Sequence, residues 1–274
     1  MGSVNHLGSG WLTPTLSYVL ACAGAALGLR CTLRGLAATG VARRNRLLTA
    51  AAAIGSGIWA MHFVAMSGFA VVGTELRYDV PLTVLSLLVA VLVTGLGLAV
   101  VAYRGPRGPA LLVGGLITGL GVAAMHYLGM AAVRMRAGLR YDSGTVALSV
   151  LVAVGAATAA LWAAVTIRNG FAAAAASLVM GLAVSCMHYT GMAAVHVHLE
   201  PTRTGPGGAS PMEFIFPLAV GLGSFLFLAA AFVALSPPAQ DRAGRRTAGE
   251  LAIEEFPAPA APASADPGRH DRAA

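Results

Sequence analysis

The chain has 274 residues, 57% of them hydrophobic and 11% charged, with 34 glycines and a formal net charge of +7. That apolar share lies well above the roughly 45–50% of soluble domains and excludes a water-soluble globule. All 18 basic residues are arginines; most fall in short connections, where arginine sets membrane orientation and meets anionic headgroups, so no nucleic-acid partner follows from the charge.

Seven apolar spans are predicted, each near the about 20 residues that cross a hydrocarbon layer. The first, at about 12–33, follows a stretch from Met1 to Trp11 without Arg or Lys. Such a stretch lacks the charged region of a secretory signal, so the span reads as a retained helix. The second runs over about 47–72, the third over 82–103, the fourth over 110–133, the fifth over 145–167, the sixth over 171–197 and the seventh over 214–235. Cys22, Cys31 and Cys186 sit in or beside these spans and imply no disulfide framework. Trp11, Trp59 and Trp162 need only interfacial anchoring and packing. From Ser236 onward, runs such as Phe256-Pro257-Ala258-Pro259 bury too little apolar surface to fold. The expected organisation is a membrane domain over 1–235 and a disordered tail over 236–274.

Arg30, Arg34, Arg43, Arg44, Arg46, Arg104, Arg107, Arg168, Arg242, Arg245 and Arg246 fall on one side of these spans. The other side holds Arg77, Arg134, Arg136, Arg140 and Arg203, with most of the loop acids. The excess of arginine on cytoplasmic loops then places the amino terminus outside and the tail inside the plasma membrane.

Self-similarity is the strongest signal. Met61-His62-Phe63-Val64-Ala65-Met66 returns as Met125-His126-Tyr127-Leu128-Gly129-Met130 and as Met187-His188-Tyr189-Thr190-Gly191-Met192. Gly55, Gly119 and Gly181 each stand seven residues before a motif histidine, where a missing side chain lets helices approach closely. Leu76-Arg77-Tyr78-Asp79 recurs as Leu139-Arg140-Tyr141-Asp142, and Leu16-Ser17, Leu85-Ser86 and Leu148-Ser149 share one register. The unit is a helix pair present three times, and the fold class is an all-α bundle of three helix-pair repeats plus a seventh helix. Each motif falls in the second half of an even-numbered span, so the three histidines share one layer, predicted in the outer leaflet.

On a helix, a histidine and the methionine four residues later lie about 40° apart and one turn apart. His62 with Met66, His126 with Met130, and His188 with Met192 can each act as a two-toothed ligand. Imidazole with thioether suits copper and suits magnesium or calcium poorly. Met61, Met125 and Met187 either close over the metal from the adjacent helix or face lipid. Tyr127 and Tyr189 carry a phenol that can bond to water or an acid, whereas Phe63 lacks the hydroxyl. Asp79 and Asp142 either accept the second N–H of a metal-bound imidazole or cap helices. Histidine pairs that only hydrogen-bond between helices, and ion or proton handling, are the alternatives to ligation. His196-Val197-His198 reads as a cationic outer edge or as a metal-capturing rim.

Three such motifs in alternate spans resemble the bacterial MHYT sensor domain, and the resemblance covers about residues 12–235. The copy from Met187 matches the name-giving motif letter for letter; the second differs at Leu128 and the first at Phe63, Val64 and Ala65. The resemblance implies an integral membrane sensor that binds copper near the outer face and through it senses oxygen, carbon monoxide or nitric oxide. Relatives often carry a cytoplasmic output module; here only the tail follows, so the alternatives are action through a separate cytoplasmic signalling partner and metal handling without signalling. The competing readings are a metal or proton transporter and a protein that ligates haem through two histidines. No nucleophile–base pair or carboxylate dyad accompanies the motif, so no enzyme is expected.

Overall fold

A computed structural model of the chain describes residues 4–5, 10–71, 75–105, 107–167, 169–199 and 207–235. The predicted tail over 236–274 lies outside them. Seven helices among the described residues are long and apolar enough to cross a membrane. They are α1 (Leu12–Leu36), α2 (Gly40–Met66), α3 (Val80–Arg104), α4 (Gly108–Ala131), α5 (Ser143–Thr166), α6 (Gly170–Ala193) and α7 (Phe216–Leu235). A single π-helical turn, Pro211–Ile215, leads into α7 and is capped reciprocally by Ser210 and Glu213.

Helix boundaries move where apolarity alone misplaces them. The second span starts at Gly40 rather than 47, because the arginines at its start belong to the helix. It stops at Met66 rather than 72, since the chain turns there and enters a short strand at Ala70–Val71. The sixth ends at Ala193 rather than 197, and Val195–Leu199 is a strand. Asp79, Asp142 and Asn169 start α3, α5 and α6 by accepting the backbone N–H of the residue three positions on, which satisfies one of a helix's free amino-terminal donors.

Short ladders, absent from the sequence reading, join the connections at the motif end of the bundle. Strands β1 (Val4–Asn5) and β2 (Ala70–Val71), β3 (Arg77–Tyr78) and β4 (Val133–Arg134), and β5 (Ala137–Tyr141) and β6 (Val195–Leu199) pair antiparallel. The second and third ladders tie connections from different repeats together, pairing Arg77 with Arg134 and Arg140 with His196.

Helices α1 to α6 close a ring in which each contacts the next and α6 returns to α1, while α2, α4 and α6 touch one another across the centre. The glycines seven residues before each histidine make this packing possible. A Cβ on Gly55 would strike the α3 backbone at Val91, one on Gly119 the α5 backbone at Val154, and one on Gly181 the Cys22 sulfur on α1. The same step, from an even helix to the next odd one, recurs three times around the ring. α7 packs outside it, with Gly223 against Leu20 and Leu226 against Leu27 and Ala53. Leucines such as Leu88, Leu92, Leu116 and Leu151 face outward, as lipid contact requires.

Candidate metal centre

The last two turns of α2, α4 and α6 bring the three motif histidines to one point. His62, His126 and His188 are 1%, 0% and 1% exposed. Their Nδ1 atoms form a nearly regular triangle, with His62 to His188 at 3.0 Å, His126 to His62 at 3.2 Å and His188 to His126 at 3.3 Å. The rings meet edge to face, with centroids 4.9 to 5.2 Å apart. Neutral imidazole carries one N–H and one lone pair, so three Nδ1 atoms in mutual contact cannot all be satisfied by hydrogen bonds to each other. With the protons on Nε2, three lone pairs converge on a single point.

Three nitrogens held tetrahedrally at about 2.0 Å from a first-row ion stand about 3.3 Å apart. The observed triangle fits that span, and a group of three buried histidines within ligating distance is a site that could hold a metal ion. Imidazole suits copper, zinc, iron and nickel.

The rings are seated by the motifs of neighbouring copies. His62 Nε2 lies over Gly129 and His126 Nε2 over Gly191, where a Cβ could not fit. Neither Nε2 has a protein hydrogen-bond partner. The glycine inside the second and third motifs therefore makes room for the histidine of the preceding copy. The first copy carries Ala65 at that position.

Met61, Met66, Met125, Met130, Met187 and Met192 are all buried, at 3% exposure or less. The lipid-facing alternative for Met61, Met125 and Met187 is thus set aside: all three point into the bundle.

The two carboxylates take the capping alternative and not the imidazole one. Asp79 accepts from the Leu82 backbone at 3.1 Å and from Arg134 at 2.7 Å. The Arg134 guanidinium first, and the Leu82 N–H second, hold its carboxyl below the ordinary value. Asp142 accepts from the backbone and the hydroxyl of Thr145, at 2.8 and 2.7 Å, and those bonds lower it likewise. Each acid stands at the start of its helix, where its hydrogen-bond partners are Leu82 and Arg134 or Thr145.

A polar belt that the motif does not reveal surrounds the histidines. Tyr127 donates to Ser149, with the oxygens 2.6 Å apart, because the serine's own proton goes to the Val146 carbonyl. Ser17 is the polar partner of the Tyr189 phenol. In the first copy, Phe63 has no hydroxyl, and Trp59 fills the gap by donating its ring N–H to Ser86 at 3.0 Å and to the Thr83 carbonyl at 3.2 Å. Trp59 is fully buried and is no interfacial anchor, whereas Trp11 and Trp162 are exposed on the bundle surface. The common register of Ser17, Ser86 and Ser149 was the available signal for this belt. Tyr78 and Tyr141 add rings beyond it, edge-on to Phe63 and Tyr127 at 5.9 and 5.8 Å, and burial pushes the Tyr78 phenol up. His196 and His198 lie exposed on β6 opposite Arg140 and Gly138, away from the triad.

Comparison with known proteins agrees with this architecture. The bacterial signalling protein N-terminal repeat MHYT matches residues 55–115 and 119–177, each match opening at one of the glycines that seat an even helix. The bifunctional diguanylate cyclase/cyclic di-GMP phosphodiesterase MucR of Pseudomonas aeruginosa is 42% identical over 158 residues, covering 56% of this chain and 23% of the relative. The cyclic di-GMP phosphodiesterase NbdA of the same organism is 46% identical over 150 residues, covering 52% and 19%. An uncharacterized signaling protein of Caulobacter vibrioides is 37% identical over 170 residues, covering 62% and 21%. The chain thus spans about a fifth of the length of the curated relatives it matches, and no solved structure matches it. What the chain shares with these signalling proteins is the segment that carries the repeat: it is a multi-pass membrane protein with two matches to the MHYT repeat.

Proposed function

We propose that the chain is a membrane sensor whose buried histidine triad holds copper, and that the state of this centre is read out through cyclic di-GMP signalling. The observation that carries the reading is the Nδ1 triangle, with sides of 3.0 to 3.3 Å among fully buried rings. His62, His126 and His188 would hold the ion, and the buried methionines favour a soft cation such as copper(I). Bound copper would supply a redox-active centre open to a diatomic ligand. The protein's part is to converge the lone pairs, exclude water and fix the ring orientation through the interlocked glycines.

The arginine distribution supports an orientation with the motif end outside and the tail in the cytoplasm. The cyclic di-GMP activities of the relatives MucR and NbdA support the link to cyclic di-GMP, delivered by an output module or a partner on the cytoplasmic side.

Transport fits less well. Among the described residues, the buried polar side chains are serines, threonines and the three histidines, so no ionisable path continues through the other half of the bundle. Haem ligation fits less well too, since rings in direct Nδ1 contact leave no room for a macrocycle between them.

The test is elemental analysis of detergent-purified protein reconstituted with copper(I). Stoichiometric copper in the wild type, lost in His126→Ala and in the triple His62→Ala, His126→Ala, His188→Ala variant, is expected. A wild type free of copper, or a triple variant that retains it, overturns the proposal.

A further inference from the structure

A chamber of about 70 Å³ lies directly beyond the triad, walled by all six helices of the ring. On the triad side it is bounded by Ile58, Val122 and Val184, each four residues before a motif histidine. That spacing puts each on the same helix face as its histidine, about one turn away. Farther from the triad it is lined by Leu29, Leu98 and Leu161, each twelve residues after Ser17, Ser86 and Ser149, and each 5% exposed or less. Between these layers, Ala25, Thr94 and Ala157 stand at one common register of the repeat. All three helix pairs therefore contribute equivalent walls, and the void is a repeated feature rather than a single misfit side chain.

The lining decides what can occupy it. Thr32 and Thr94 donate to the Gly28 and Ala90 carbonyls of their own helices, each at 2.8 Å. Thr118 alone among the lining residues has a hydroxyl without a protein partner. A buried water takes about 2–4 polar partners, and hydrocarbon-lined cavities of about 150 Å³ stay dry and admit benzene or xenon. At roughly half that volume, this chamber suits a smaller guest.

We infer that the chamber is a binding site for a small, uncharged, apolar molecule of a few heavy atoms. Its occupant touches residues one turn from each histidine, and so bears on the three helices that set the Nδ1 spacing. The site is defined by protein atoms alone and does not depend on the metal reading.

The experiment is xenon pressurisation of crystals of the metal-free full chain, with xenon as the probe. An anomalous peak bounded by Ile58, Val122 and Val184 on one side and by Leu98 on the other is expected in the wild type. The peak is expected to persist in Thr118→Val, which removes the unengaged hydroxyl at nearly constant size, and to vanish in Ala157→Leu. Should Ala157→Leu not fold, Ala157→Val is expected to lower xenon occupancy. Ordered water in the chamber, or no xenon peak in the wild type, overturns the inference. Because the protein is metal-free, a failure to bind copper leaves this result untouched, and a failure to bind xenon leaves the copper reading untouched.

Discussion

At the scale of single residues, the motif letters divide into groups that face the triad and groups that seat it. The histidines converge, while the glycines of the second and third copies act on the ring of the copy before them. Gly129→Ala and Gly191→Ala are each expected to push a ring out of the triangle, at an overpacking cost of about 1–3 kcal/mol. Both are expected to lose copper as well. Tyr127→Phe offers the contrast. It deletes a bond to Ser149 worth about 1 kcal/mol but leaves the triad in place, so copper content is expected to hold. Thermal denaturation and metal content measured on the same three variants check this; copper loss in Tyr127→Phe to the same extent as in Gly191→Ala would refute the division. The histidines and methionines were legible as a constellation because they recur in register. That Trp59 stands in for the missing Phe63 hydroxyl was not, since it depends on a neighbouring helix bringing Ser86 within 3.0 Å.

At the scale of elements, the starts of α3 and α5 on the motif side are held by acids. Asp79 and Asp142 both sit below the ordinary carboxylate value of 3.8, Asp79 chiefly through Arg134 and Asp142 chiefly through Thr145. A carboxyl lowered in the folded state contributes stability that is complete above its unfolded value and is lost as pH falls through the lower folded one. The contribution of these caps is therefore expected to stay constant from neutrality to about pH 5 and to decline only in stronger acid. The thermal midpoint of the Asp79→Asn, Asp142→Asn double variant is expected to fall less steeply in acid than that of the wild type; identical slopes would rule the caps out as the source. The repeated Tyr-Asp pairs showed where α3 and α5 begin. The ladders β3–β4 and β5–β6 had no such signature, because they are short and pair connections more than fifty residues apart.

At the scale of the whole molecule, three helix pairs arranged in a ring place equivalent positions on one central axis. The triad and the chamber beyond it both follow from that arrangement. At the α4-to-α5 step the backbones approach closely across Gly119, so Gly119→Ala, which would drive a Cβ into the Val154 backbone, is expected to separate α4 from α5. The cost is about 1–3 kcal/mol, since backbone cannot yield as a side-chain end does, and copper is expected to be lost in parallel because α4 carries His126. Gly155→Ala, which meets nothing within 4 Å, is the control expected to leave both properties unchanged. Equal effects in the two variants would show that ring closure does not position the triad.

Apolar runs long enough to cross a bilayer, and a motif repeated at nearly constant spacing, determined by themselves that this chain is a multi-pass bundle of helix pairs with histidines at one depth. Both properties are periodic along the chain and need no knowledge of which helices touch. Only the tertiary structure decided that the imidazoles meet through Nδ1, that Asp79 and Asp142 serve the helix starts, that the leading methionines turn inward, and that an apolar chamber lies beyond the triad. Those outcomes depend on the rotation of each helix and on the partner it packs against. Close approach across glycines sets both, and linear order does not encode it.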